Sequence, residues 1–518
     1  MKNSLANMTF LEDRDLDNVP TIPEYYRGKV VFVTGGSGFM GKVLIEKLLY
    51  SCPDLEKIYL LLRPKKGVQP EERLSAIYSS HCFDRLRNER PGVFDSKVFF
   101  VAGDVSDIGL GLSEDDRAIL LKQTQILFHV AASVRFDDPL KVAVRLNLFG
   151  TKQVVDLAKD MKNLESFVHV STSYANTNRE VIEEILYPAL GDWRETLEIC
   201  ETADDHTLKV LTPKFIGELP NTYVFTKQLA EHVVYEQKGK MPIVIVRPSI
   251  VISSHLEPVP GWIDNFNGPA GLMAASGKGI LRTILSSPEI VSDYIPVDVA
   301  IKACIVASWV RGTKKLEATD DIPIYNDCVG KLNHMTMQDM VSVGSEIAQI
   351  LPLKNALWAY GVSITTSKFK YNLEVLLFHM LPALLVDMIL WIIGKNPMLV
   401  RVQRRIYTAN MALHYYLTKQ WTFSNRNLIA LRSKIKDDDM RDFYYEIENI
   451  DKYEFYKQCC FGGRKYLLKE TDDSLEESQA QYKRMVVLDK LVKMTFYGCL
   501  IWWIMRREFI RDFIQIIH

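Results

Sequence analysis

Between residue 28 and about residue 300, short apolar runs alternate with stretches of helical character. Residues 30–34 (VVFVT), 58–62, 98–101, 126–129, 167–170 and 243–246 read as strands, and 42–50 and 229–237 as helices. Strands this apolar, separated by helices, specify a parallel sheet covered on both faces. The predicted class is therefore α/β, a doubly wound parallel sheet of Rossmann type. Past about Asp321 the pattern changes: 371–394 is long and apolar, and 398–424 reads as helix with few turn signals. Charged stretches at 436–439 and 470–477 follow, and a last apolar block at 494–505 ends on Arg506 and Arg507. This predicts a mainly helical C-terminal domain and an apolar C-terminal tail.

At 518 residues the chain exceeds what one core usually fills, so more than one domain is expected. The net charge of −1 and the lack of a Lys/Arg block argue against a nucleic-acid partner. Eight cysteines include no C-x-x-C pair, although Cys459 and Cys460 are adjacent, and no HExxH occurs, so no metal is expected. The first twenty residues lack the apolar core of a secretory signal, which predicts a reducing, cytosol-facing catalytic domain.

The strongest chemical signal is Thr34-Gly35-Gly36-Ser37-Gly38-Phe39-Met40-Gly41, placed where a buried strand turns into a helix. Gly35 permits the tight turn, Gly38 lets the backbone approach a pyrophosphate, and Gly41 lets helix and sheet pack closely. The helix N-terminus then offers free N–H groups to the phosphates. A glycine pattern alone also fits a turn without a ligand; here strand, helix and position agree. The second strand ends on Arg63, followed by Lys65 and Lys66, where an NAD enzyme usually carries an acid. Arginine pairs with a 2′-phosphate and a carboxylate repels it, so NADPH is expected, with a merely solvated Arg63 as the alternative. Gly103-Asp104-Val105 stands where the adenine would sit.

Tyr223 and Lys227 are four apart in a helical stretch and share a face. A phenol of pKa ~10 is a poor acid at neutral pH, and a neighbouring ammonium is expected to lower it. The preceding strand ends in Ser171 and Thr172, at the sheet edge where α/β proteins bind ligands. Thr172 is the first candidate and Ser171 the second for orienting a carbonyl oxygen, with strand-end capping as the other role open to both. His129 and His169, which end core strands, and His232, beside Glu231 on an expected helix surface, are assigned structural roles.

Together these stretches make the chain resemble the extended short-chain dehydrogenase/reductases, and more narrowly the alcohol-forming fatty acyl-CoA reductases. The resemblance rests on TGGSGFMGKVLIEKLL (34–49), HVAASVRFDDPL (129–140), VHVSTSYAN (168–176), YVFTK (223–227), VRPSIV (246–251), GWIDNFNGP (261–269), DYIPVDVA (293–300) and HMLPALLVDMILWIIGKNP (379–397). It covers about 23–456, and Met40 for the commoner leucine is its one conservative departure. It implies four-electron reduction of long-chain acyl-CoA to a primary alcohol, through a bound aldehyde, with two NADPH and release of CoA. Thr172 and Tyr223 would stabilise the oxyanion, Tyr223 would then donate a proton, and Lys227 would hold the nicotinamide ribose. Ala131, Ala132 and Pro248 carry over as further cofactor contacts, beside Thr34, Ser37, Phe39, Met40 and Val105. The implied division is 24–300 as reductase domain, 301–360 as substrate-lobe and connecting segment, 361–456 as helical C-terminal domain and 457–518 as charged linker and tail. The resemblance further implies a membrane-associated enzyme of the endoplasmic reticulum or peroxisome, with homo-oligomerisation admitted. Lys278 and Arg282 are open between facing coenzyme A phosphates and being ordinary surface charges.

The block at 494–505 spans only about 18 Å of helix at ~1.5 Å per residue, short of the ~30 Å of a bilayer core. Extending it back to Val486 takes in Asp489, Lys490 and Lys493, while Tyr497, Trp502 and Trp503 beside Arg506 and Arg507 resemble an interfacial belt. Residues 375–393 have the length but carry His379, Pro382 and a central Asp387, whose insertion costs roughly 2.5–3.5 kcal/mol. A buried or interfacial helix is expected there; soluble core is the other reading of both. Two other functions stay open: another extended reductase, such as a hydroxysteroid dehydrogenase or sugar-nucleotide epimerase, and a non-catalytic NADP(H)-binding membrane scaffold. Thioester dependence separates the first, and turnover the second.

Overall fold

The computed structural model describes residues 18–64, 68–330 and 335–505, so Lys65, Lys66, Arg506 and Arg507 lie outside the described residues. The chain forms two compact units that interleave along the sequence. The first takes residues up to Asn265, then Val291–Met335 and Lys419–Gly462. The second takes Phe266–Ile290, Thr336–Thr418 and the residues from Gly463 on.

The first unit is built on a seven-stranded sheet: β1 (Val30–Thr34), β2 (Lys57–Leu62), β3 (Val98–Ala102), β4 (Ile126–His129), β5 (Ser166–Val170), β6 (Ile243–Pro248) and β7 (Ile324–Asp327). The order is β7-β6-β5-β4-β1-β2-β3, and every pairing is parallel. Every residue of β1, β4, β5 and β6 is buried, as continuous Val/Ile-rich runs require when both faces are covered. The order reverses between β1 and β4, so their carboxyl ends open the crevice in which such sheets bind ligands. Helices α1 (Phe39–Ser51), α2 (Gly150–Lys159), α3 (Thr222–Tyr235) and α4 (Val297–Gly312) belong to this unit. α4 is buried from Val297 to Arg311, as its nearly unbroken apolar sequence demands. The sheet continues past the change of pattern at Asp321, because β7 pairs Ile324 with Ile245 of β6.

The second unit is mainly helical, with one small parallel pair, Thr283–Leu285 beside Ser363–Thr365. Leu281, Ile284, Met337 and Leu417 form one core cluster there. α5 is a continuous helical stretch, Lys368–Ile392, and α6 runs Leu399–Thr418. α6 stops six residues short of the expected end at 424, where Thr422–Phe423 instead pairs with Val181–Ile182 in the first unit. α7 is a single helix, Leu475–Met505.

Candidate active site

The glycine loop follows β1 as the sequence requires. Gly35 has φ +80, and a Cβ there would stand 2.6 Å from the Ala131 amide nitrogen at the end of β4. A Cβ on Gly41 would stand 2.3 Å from the Gly35 carbonyl oxygen. Both are fixed by the protein's own packing. Gly38 differs: a Cβ there meets only the Gly35 oxygen, at 3.2 Å, and Ser37 and Gly38 are exposed. α1 follows Gly38 as its N-cap, which supplies no side-chain cap, so its first N–H groups are open to an anion. This cradle fits a pyrophosphate. Thr34 is fully buried; its hydroxyl meets His129 Nδ1 at 2.7 Å and accepts from the Ala131 N–H at 3.4 Å, joining the ends of β1 and β4.

Phe39 and Met40, half-buried, start α1. Phe39 stacks on Trp262, centroids 5.3 Å apart, and Lys42 pairs with Asp264 at 2.8 Å. The first half of the GWIDN stretch thus braces the cofactor loop, a role the sequence reading did not assign. Arg63 is exposed at the end of β2, with Nε 3.8 Å from the Asp104 carboxylate. Asp104 is held by its N–H to Leu110 O at 2.8 Å and by Ser106 N–H to its carboxylate at 2.9 Å. Val105 is buried against Gly150, Ala131 and Ala132 are half-buried after β4, and buried Pro248 accepts from the Thr172 hydroxyl at 3.4 Å.

Asn221 caps α3 by accepting from Val224 N–H at 3.0 Å, which places Tyr223 in the first turn and Lys227 one turn on. The Thr172 hydroxyl lies near enough to the Tyr223 phenol to favour its ionised form. Phe136 lies against its ring, centroids 5.6 Å apart. Thr172 also caps the turn after β5 by accepting from Tyr174 N–H at 3.2 Å, so capping and site geometry coincide in one hydroxyl. Ser171 Oγ is buried without a hydrogen-bond partner among the described residues.

Lys227 does not act on Tyr223 as its spacing suggested. Its ammonium donates to the Val170 carbonyl oxygen at 2.7 Å. Burial pushes the Tyr223 phenol up to about 12, opposed only by Thr172. Burial also pushes Lys227 down to about 8, with Glu231 opposing. Desolvation, not the lysine field expected from the sequence, sets the direction of the shift, so the phenol keeps its proton at neutral pH.

Asn147, also missed from sequence, links the two sides of the crevice. Its amide donates to Ser133 O and to Thr226 Oγ1, both at 3.1 Å, and accepts from Ser133 N–H at 2.8 Å. It lies in the irregular turn Val144–Phe149 before α2, which no periodicity reveals. His129 bridges Thr34 and Thr151, His169 is buried against its ring, and burial drives both far below the ordinary histidine range. His232 is half-buried and contacts Tyr187 O at 2.9 Å. Glu231 is not on a helix surface: it is buried in a two-pronged pair with Arg247, at 2.8 and 2.7 Å. In the second unit Lys278 pairs with Glu470 at 2.7 Å and Arg282 with Asp489 at 3.3 Å, so both charges are already engaged by acids.

Comparison with known proteins agrees with this geometry. An NAD-binding family described as male sterility protein matches residues 33–304, and a second family of that description matches 378–470. The first match supports a nicotinamide dinucleotide as the cofactor. Fatty acyl-CoA reductase 1 of Homo sapiens is 38% identical over 465 residues, covering 90% of each chain. Fatty acyl-CoA reductase wat of Drosophila melanogaster is 34% identical over 505 residues, covering 96% of this chain and 97% of its own. The reductase domain of a nonribosomal peptide synthetase from Mycobacterium tuberculosis aligns at TM-score 0.59 and 18% identity, over 88% of this chain and 95% of that one, a likeness of fold. The chain belongs to the fatty acyl-CoA reductase family.

Proposed function

We infer that the protein reduces long-chain fatty acyl-CoA to the primary alcohol and free coenzyme A, with two NADPH consumed in turn. The single observation that carries this reading is the placement of Tyr223 beside Thr172, at the carboxyl end of the sheet that also carries the glycine cradle. The bound dinucleotide supplies hydride, and the protein's residues do the rest. Ser37, Gly38 and the open start of α1 hold the pyrophosphate, and Arg63 beside Asp104 takes the 2′-phosphate that distinguishes NADPH.

Thr172 and Tyr223 present two hydroxyls to one carbonyl oxygen and stabilise the charge that gathers there. In the first reduction the carbon–sulfur bond breaks and the thiolate of coenzyme A leaves, giving an aldehyde held in place. In the second, the alkoxide takes the Tyr223 proton, which a phenol held at about 12 keeps until an alkoxide forms. Lys227, fixed on Val170 O, ties α3 to β5 and would hold the nicotinamide ribose. The enzyme works on a membrane of the endoplasmic reticulum or peroxisome, where its lipid substrate and product reside.

The test is turnover of membrane fractions with NADPH and a ladder of acyl-CoAs, with products identified by chain length. Alcohol and free coenzyme A in equal amounts, two NADPH per alcohol, is the expected result. Reduction of sterols or sugar nucleotides without thioester turnover would overturn it.

A further inference from the structure

Helix α5 carries a contradiction unless something outside the protein covers it. Its buried residues are Tyr371, Val375, His379, Ala383 and Asp387, one every fourth position, a single narrow line along the helix. From Val375 onward the rest of its circumference is open and apolar: Leu376, Leu384, Leu385, Ile389 and Ile392 are each at least half exposed. An apolar face running from Val375 to Ile392 is larger than a soluble surface leaves to water.

From Val375 on, the polar side chains of α5, His379 and Asp387, lie on its buried line, and each has a partner in the same unit. Asp387 accepts from the N–H groups of Met398, Leu399 and Val400, all at 2.9 Å, and so caps the start of α6. His379 Nε2 accepts from Arg282 N–H at 2.9 Å. At 25 residues the helix is long enough to cross a bilayer. Crossing would strip these partners away and leave Asp387, His379 and three N–H groups in hydrocarbon. Lying flat keeps every one of them.

The charges beside this face match a lipid surface. Trp391 at the end of α5, Lys395 just beyond it, and Arg404 and Arg405 on the first turns of α6 are exposed. Neither Lys395 nor either arginine has an acidic partner among the described residues. An exposed tryptophan with unpaired cations beside an apolar face is the composition of a membrane–water interface with anionic headgroups. The same unit sends out a second apolar surface from the same place. Arg282, whose N–H holds His379, pairs through its guanidinium with Asp489 of α7 at 3.3 Å, and Trp358 Nε1 donates to Asp489 at 2.5 Å. Beyond that junction α7 is exposed on all sides from Lys490 to Ile504, although its residues from Met494 on are uncharged.

We propose that α5 lies in the plane of one membrane leaflet, its broad face in the acyl region and Lys395, Arg404 and Arg405 on anionic headgroups. This rests on the membrane association proposed above and specifies its geometry: the Asp387 helix is a float, not a span.

The experiment uses the full-length protein with Cys460→Ser and Cys499→Ser, since the other six cysteines are buried. Single cysteines replace Phe369, Leu377, Leu385 or Ile392, carry a nitrobenzoxadiazole fluorophore, and are read on phosphatidylcholine/phosphatidylserine vesicles. Lipids spin-labelled near the headgroup should quench all four positions alike, and more than lipids labelled near the chain end. A spanning helix would instead make 377 and 385 the deep positions and 369 and 392 the shallow ones, overturning the proposal. A protein that floats with vesicles yet shows no lipid quenching at any position, with or without cross-linking between copies, would overturn it too and leave α7 as the sole membrane contact. A protein that does not float at all removes the membrane reading as well. On the charge side, Lys395→Glu/Arg404→Glu/Arg405→Glu should weaken binding to phosphatidylserine vesicles by about tenfold or more while leaving binding to phosphatidylcholine alone unchanged. No difference between the two vesicles would contradict the headgroup assignment.

Discussion

The ammonium of Lys227 donates to the carbonyl oxygen of Val170 at 2.7 Å, which ties the helix carrying Tyr223 to the strand that runs on into Ser171 and Thr172. The crevice is therefore set by the protein itself before any ligand enters. A charge is kept there at some expense, since burial lowers the lysine to about 8.

Replacing it separates function from stability. Lys227→Met relieves a desolvated charge but leaves a buried carbonyl without its donor, opposing effects of roughly 1–3 kcal/mol each. Its melting temperature at pH 7 should stay close to wild type, while turnover falls ~10²-fold or more. Thermal denaturation and acyl-CoA turnover on the same preparation check this; a large fall in stability with activity retained would make Lys227 a structural residue.

Arg63 stands 3.8 Å from Asp104 at the end of β2, open to a 2′-phosphate. Arg63→Glu substitutes a repelling anion beside an existing one, so NADPH affinity should fall about tenfold or more while NADH affinity changes little. Fluorescence titration with both dinucleotides measures the ratio, and an unchanged ratio would remove Arg63 from the cofactor site.

Asp327 ends β7 with both carboxylate oxygens buried and without hydrogen-bond partners among the described residues. Burial, aided by the charge of Asp293, raises it to about 8. The folded state therefore keeps a proton that the unfolded chain releases near pH 4, and stability falls as pH rises between those values. Asp327→Asn should flatten that slope and be more stable than wild type at pH 8 and above, as followed by denaturant midpoints across the pH range. A steeper slope in the variant would contradict the neutral form.

The same residue explains what the sequence could not show. Six strands were legible because each is a mostly apolar run; Ile324–Asp327 hid its place in the sheet because half of it is polar. Asn326 is fully buried there only because its amide reaches Ile182 O at 3.1 Å and Ser424 O at 2.8 Å, partners more than ninety residues away. The interleaving of the two units was hidden for the same reason, since no local pattern announces that residues 291–335 return to the first unit. Tyr223 and Lys227 could be paired because helical spacing is local. The sign of the shift at Tyr223 could not be read, because it depends on how completely the crevice excludes water around the ring. Trp262 on Phe39 and Asn147 between Ser133 and Thr226 are likewise tertiary facts, invisible to any window of sequence.

The central claim, that Tyr223 with Thr172 is the centre where acyl-CoA is reduced, is tested most directly by Tyr223→Phe. The substitution keeps the ring beside Phe136 and removes only the hydroxyl beside Thr172. NADPH binding should be nearly unchanged, because the cradle is formed by Ser37, Gly38 and the start of α1. Turnover of acyl-CoA should fall ~10²–10⁴-fold. The first reduction needs chiefly oxyanion stabilisation, which Thr172 partly supplies, whereas the second ends with a proton delivered to an alkoxide. The measurement is acyl-CoA turnover with aldehyde trapped as its oxime and alcohol quantified beside it. The account predicts a low residual rate with aldehyde a larger share of product than in wild type, and alcohol formation at the wild-type rate would contradict it.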